Sequence, residues 1–248
     1  MGPHLLIAVA LSTLIGVSLG FFGGGGSILA VPLLVYVARV DVHAAIGMSL
    51  AVVGATSLGG ALVHARAGRV DARAAAAFGI AGMIGAALGA RATHAVGPRT
   101  LLLLFAALLI VVGALMLREA PAWRTAPRGP ARHAAIVVAG VLTGLLTGFL
   151  GVGGGFLVVP ALTLLGGLPI HRAVGTSLLV IALTSAAGFA GHVGRGLPAG
   201  LTATFATASL LGALVGVRVA AATDPRRLRR SFAGLVLAVG LALLAVNV

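Results

Sequence analysis

The sequence predicts an all-α polytopic membrane protein, and three observations carry that prediction. Of 248 residues, 60% are hydrophobic and only 8% are charged, too little polar surface to cover a water-soluble globule. Apolar runs of the roughly 20 residues that a spanning helix needs recur along the chain, for example Leu5 to Phe22, Thr100 to Leu117 and Ser231 to Val248. The chain also matches itself at an offset of about 128 residues, the mark of a duplicated unit. A β-barrel would show alternating segments of about ten residues, and no such alternation is present.

The first run, Leu5 to Leu14, has the look of a signal-peptide core. It lacks a preceding Arg, and the same element recurs in mid-chain at Ala134 to Leu150, so it reads as a spanning segment. The stretch Gly16 to Pro32 lies over Gly144 to Pro160, and the register then holds without a gap. His43, Gly47, Ser49 and Leu50 fall on His171, Gly175, Ser177 and Leu178, while His64 and Gly68 fall on His192 and Gly196. After a one-residue slip, Gly85, Gly89 and Arg91 match Gly212, Gly216 and Arg218. About twenty of the roughly 53 positions from Gly16 to Gly68 are identical.

The opening element of each copy carries a break. One continuous helix from Leu5 to Ala38 would be about 50 Å long, against a hydrocarbon core of about 30 Å. Four successive glycines, Gly23 to Gly26, release the backbone there, and Pro32 stands in the first turns of the next segment. That remaining piece, Ser27 to Ala38, is expected as a half-length helix of about 18 Å. Three plainer spans complete each copy, near Ala45 to His64, Ala74 to His94 and Thr100 to Leu117, then Val174 to His192, Leu197 to Val217 and Leu228 to Val248. The domain plan is therefore repeat 1 over 4–117, an Arg/Pro-rich linker over 118–133 and repeat 2 over 134–248.

The arginines decide between two symmetries. If the half-helix does not count as a crossing, the copies are parallel and the two sides carry nearly equal numbers of Arg. If it counts, the copies are inverted. One side then holds Arg39, Arg91, Arg99 and Arg195, and the linker side holds the other thirteen of the 17 basic residues. Inverted repeats are the preferred reading, with both termini outside and a cytoplasmic linker.

The formal charge of +13 does not point to nucleic acid, because the arginines sit in short clusters between apolar runs with no aromatic platform. Cysteine is absent, which excludes thiolate metal sites and a cysteine nucleophile. No metal site or cofactor is indicated. The glycines of Gly23 to Ser27 lack the Gly-Lys-Ser/Thr ending of a P-loop. Gly16-xxx-Gly20, Gly85-xxx-Gly89 and Gly212-xxx-Gly216 read as close-packing faces.

A helix that starts in mid-membrane aims unpaired N–H groups and a positive dipole end at whatever precedes it, which suits an anion. Secondary transporters place substrate at such discontinuous helices. The candidate substrate-binding residues are accordingly Gly24, Gly25, Gly26 and Ser27 in the first copy and Gly153, Gly154 and Gly155 in the second. Ser49, Thr176 and Ser177 join them at the start of the following spans. Thr56 and Ser57, repeated as Thr184 and Ser185, read instead as hydroxyls bonded within their helices. His43, His171, His64 and His192 at span ends, with Arg91 and Arg218, are candidates for a proton or anion path. The four acids, Asp41, Asp71, Glu119 and Asp224, all fall in or beside loops. A cation site or carboxylate proton relay is poorly supported, and an anionic substrate fits.

At these residues the chain resembles the sulfite exporter TauE/SafE family of bacterial permeases, essentially over its whole length. The paired glycine segments ending in Pro, Gly23 to Pro32 and Gly151 to Pro160, carry the resemblance, with the following Gly-x-Ser-Leu at Gly47 to Leu50 and Gly175 to Leu178. It implies a secondary transporter moving sulfite or an organosulfonate across the bacterial cytoplasmic (inner) membrane. Met48 departs from Thr176, so the halves need not contact substrate equivalently. The expected partners are a small anionic substrate and the lipid bilayer, with a homo-oligomer as an open option and no nucleic acid. Two other classes compete: an intramembrane enzyme such as a rhomboid-like protease, and a non-transporting scaffold or sensor. The first needs a Gly-x-Ser-Gly nucleophile, whereas Ser49 and Ser177 are followed by Leu.

Overall fold

The computed structural model describes residues 3–30, 33–92, 98–117, 130–150, 155–190 and 198–247. These are almost entirely helical and contain no strand. Helix α1 runs over Pro3–Phe22, followed by a 3₁₀ turn at Gly25–Leu29 and a π-turn at Leu33–Val37. Then come α2 (Val42–Arg66), α3 (Ala72–Ala92), α4 (Pro98–Leu117), α5 (Pro130–Leu150), α6 (Gly155–Leu164), α7 (Ile170–Ala190), α8 (Ala199–Ala222) and α9 (Pro225–Asn247). Among the described residues, six helices (α2, α3, α5, α7, α8 and α9) are long and apolar enough to cross a membrane. Exposed apolar side chains recur one turn apart, at Ile80, Ile84 and Leu88 on α3 and at Leu211, Val215 and Val219 on α8. This is the pattern of helix faces turned to lipid.

The helix starts explain where the acids went. Asp41 accepts the Ala44 N–H at 3.3 Å, Asp71 the Ala74 N–H at 3.0 Å and Asp224 the Arg226 N–H at 2.9 Å. Each carboxylate caps the first turn of its helix. At the corresponding starts of α7 and α8 the chain has Pro169 and Pro198, which pre-set the backbone angle instead. Glu119 lies outside the described residues, as does most of the linker. The end of the expected linker, up to His133, belongs to α5, which is helical from Pro130.

The half-helix of the first copy differs from expectation. Its described residues are not regular α-helix throughout: a 3₁₀ turn covers Gly25–Leu29, Ala30 is α-helical, and Leu33–Val37 takes π-type bonding. A proline removes an N–H and crowds the carbonyl four residues back, and the neighbouring segments take i→i−3 and i→i−5 bonding instead. In the second copy α6 is regular α-helix with Pro160 inside it, and Gly155 to Thr163 are all buried. The two segments end alike. Arg39 and Gly167 both have positive φ, 55° and 63°, and the next N–H, from Val40 or Leu168, reaches back to Leu34 or Leu162 at 2.9 Å.

The chain forms two compact units, residues 1–75 with 171–222, and 76–170 with 223–248. In the first unit α1 and α8 run in the same direction. A Cβ on Gly16 or Gly20 would strike the backbone of Ser209 or Ala213, and one on Gly212 or Gly216 that of Thr13 or Val17. Also in this unit α2 and α7 run antiparallel, with Gly60 against Leu178 and Gly188 against Leu50. In the second unit α3 and α5 run in the same direction, Gly144 and Gly148 meeting Gly82 and Ala86 while Gly85 and Gly89 meet Val141 and Leu145. There α4 and α9 run antiparallel, Gly113 lying against Leu237 and Gly240 against Ile110. The three Gly-xxx-Gly pairs are thus places where backbones touch.

Candidate functional site

The first glycine break is buried from Gly23 to Gly26 and folds back onto α1, where a Cβ on Gly26 would lie 3.0 Å from the Leu19 nitrogen. Gly23 and Gly24 have φ of 71° and 154°, a region open to glycine and strained for other residues. The Gly23 N–H donates to the Leu19 carbonyl at 2.8 Å, the last bond of α1. The next bond of the new turn is the Ser27 N–H to the Gly24 carbonyl at 3.2 Å. The N–H groups of Gly24, Gly25 and Gly26 precede it, as at any helix start.

Two carbonyls of this break, those of Gly23 and Gly24, are taken up by serines. Ser27 Oγ donates to the Gly24 carbonyl at 2.7 Å. Ser177 Oγ, from the first turns of α7, donates to the Gly23 carbonyl, with the Val174 carbonyl also at 2.8 Å. Acceptors are capped and donors lead, so the local polarity suits a negative group. Both serines were expected as direct ligands; their hydroxyl protons are engaged with backbone carbonyls. Ser49 likewise donates to the Ile46 carbonyl at 2.9 Å. Thr176 accepts the Asp71 N–H at 3.0 Å and so holds the turn between α2 and α3.

The other candidates are dispersed. Gly155 begins α6 in the second unit, whereas Gly153, Gly154 and His192 lie outside the described residues. His43 is in the first turn of α2, and Arg91 and Arg218 are exposed on α3 and α8. His171 is half-buried at the start of α7, and His64 is buried near the end of α2. The nearby Asp71 carboxylate pairs with Arg172 at 3.5 Å.

Three hydroxyls of the first unit differ from the expectation that membrane hydroxyls bond within their own helix. Thr56, Ser57 and Ser209 are buried with no hydrogen-bond partner. Thr184, the sequence counterpart of Thr56, donates to the Val180 carbonyl as membrane hydroxyls commonly do. Ser209 lies against Gly16, and the neighbouring Leu210 fills the space at Gly59, one turn beyond Thr56. No local signal separates a self-bonded hydroxyl from a vacant one.

The chain matches the sulfite exporter TauE/SafE family over residues 8–243. It is 41% identical over 186 residues to a "Probable membrane transporter protein" of Xylella fastidiosa (strain Temecula1 / ATCC 700964), covering 71% of this chain and 69% of the relative. "Probable membrane transporter protein YdhB" of Bacillus subtilis (strain 168) is 29% identical over 198 residues, covering 77% and 80%. "Probable membrane transporter protein YunE" of the same organism is 29% identical over 243 residues, covering 88% of each. No solved structure matches.

Proposed function

Because the chain belongs to the sulfite exporter TauE/SafE family, and is thus a multi-pass membrane transporter, we propose that it is a secondary transporter moving a small anion, sulfite or an organosulfonate, across the cytoplasmic membrane. The observation that carries the reading is the polarity of the first break: serine-capped carbonyls, and glycine N–H groups ahead of the turn's first bond. Backbone donors in a buried, low-dielectric setting bind an oxyanion without a countercharge. Thr56, Ser57 and Ser209 offer further O–H donors in the same unit. Gly153 to Gly155 are their counterparts in the sequence of the second copy. Among the described residues no buried side chain is acidic, which favours an anion over a metal cation.

Inverted repeats fit this reading, and the helix directions support them. The spans that correspond at the 128-residue offset, α2 with α7, pack antiparallel, and so do α4 and α9. Membrane-spanning equivalents point in opposite directions only when each copy crosses an odd number of times. The glycine-led segment then supplies the fifth crossing, with the linker on the Arg-rich cytoplasmic side.

The test is uptake and counterflow of labelled sulfite, sulfoacetate and sulfate in proteoliposomes of the purified protein. Saturable flux of sulfite or a sulfonate above that of protein-free vesicles is expected; absence of flux for all three sinks the reading.

A further inference from the structure

We infer that His64 is the proton-coupling residue of this transporter, its imidazole taking up one proton as one anion is bound and returning it as the anion leaves. The inference rests on the anion-transport reading above and adds the coupling ion.

Among the described residues, His64 is the ionisable side chain that is fully buried, at 1% exposure. Neither ring nitrogen has a hydrogen-bond partner. The other kinds of ionisable side chain are occupied or unsuitable, and His171 is only half-buried. Asp41, Asp71 and Asp224 cap helices, Tyr36 is 80% exposed, and arginine does not give up its proton. Imidazole is the side chain that exchanges a proton at ordinary pH, and an ionisable group inside a membrane protein marks an ion or proton path by default.

The surroundings hold this ring in place. Arg69 N–H returns to the His64 carbonyl at 2.9 Å and Gly68 N–H to Ala65 at 3.0 Å, with Gly68 at φ 66°, a glycine-terminated helix end. Across from it, Gly175 of α7 has no side chain. A Cβ there would lie 2.9 Å from His64 Cβ and 3.1 Å from its Cγ. The charged and titratable groups of the elements packed here are Arg66, Arg69 and Asp71 from the end of α2 and its turn, His171 and Arg172 from α7, and the exposed Arg218 from α8; the end of α1 at Phe22 brings none. Asp71 is engaged with Arg172 and with the first turn of α3.

An imidazolium placed here has cations for neighbours, and a bound anion compensates both. Proton and anion therefore favour one another, and by linkage each raises the affinity of the other by the same factor. One proton moving with one monoanion carries no net charge, so the membrane potential does not oppose that movement; with the dianion sulfoacetate the same proton halves the charge that crosses.

The experiment uses the full chain in proteoliposomes loaded with a pH-sensitive dye, with labelled sulfoacetate as probe. Wild-type protein is expected to accumulate the anion down an inward proton gradient and to acidify the lumen with it. In H64Q the ratio of gradient-driven accumulation to equal-pH counterflow should fall at least about tenfold, within the range of ordinary coupling energies. R69Q removes a neighbouring cation and should move the counterflow pH profile to higher pH. It decides the matter if H64Q fails to insert. Wild-type flux indifferent to the proton gradient, or an H64Q ratio equal to wild type, or an unshifted R69Q profile, overturns the inference while leaving transport intact. No flux of any anion by wild type overturns the transport reading and the inference with it.

Discussion

The Ser177 hydroxyl donates to the carbonyl of Gly23, 154 residues earlier in the chain, and stands where a Gly23 side chain would begin: a Cβ there would lie 2.6 Å from Ser177 Oγ and 2.9 Å from the Val174 Cα. Gly23→Ala therefore meets both a collision and a φ of 71°. It should lower stability by about 2 kcal/mol or more and abolish transport. Ser177→Ala leaves the buried Gly23 carbonyl without this donor and should cost about 1–3 kcal/mol. Thermal unfolding in detergent measures both. Wild-type stability for Gly23→Ala would mean the break is loosely packed.

The glycines that touch backbones and those that do not should separate cleanly. Gly16→Leu and Gly212→Leu push α1 from α8 and should prevent stable insertion. Gly79→Ala and Gly234→Ala face open space and should be neutral or stabilising by up to about 1 kcal/mol through helix propensity. Equal damage at all four positions would contradict the packing described.

Thr176→Val keeps the shape and removes the acceptor of the Asp71 N–H. The turn between α2 and α3 should loosen, at a cost of about 1–2 kcal/mol, seen as faster hydrogen exchange at residues 67–72. Unchanged exchange there would show that the bond contributes nothing. Met48→Thr, in the position that corresponds to Thr176, is expected to have a smaller effect.

Helix direction can be read by crosslinking, since the chain has no native cysteine. L50C/G188C and G60C/L178C should each be joined by a short thiol reagent, because their partners touch across α2 and α7. Crosslinking of L50C/L178C in their place would make the helices parallel and remove the support for inversion. In the same cysteine-free background, single cysteines at positions 70 and 125 should label from the cytoplasmic side. Labelling only from outside would reverse the orientation.

Much of the fold was legible in sequence because the relevant signals are local. Span length and lipid-facing apolar stripes follow from the hydrophobic pattern, and Gly16, Gly85 and Gly212 declared their close packing through four-residue spacing. The acids' place at helix ends was readable from position, although capping as their use was not foreseen. The first half-helix is less regular than its length and apolar run suggest, because glycine freedom and a nearby proline favour i→i−3 and i→i−5 bonding beside α-helical residues.

By itself, then, the sequence determined the membrane class, several of the spans and the first glycine break. The tertiary structure decided which helices touch, that Ser177 and Thr176 serve backbone groups 154 and 105 residues away, and that His64 is buried without a partner while Arg218 is exposed. The reason is physical. Hydrophobicity and backbone freedom belong to a residue and its neighbours, whereas burial and the partner of a hydroxyl or imidazole depend on segments the local sequence does not specify.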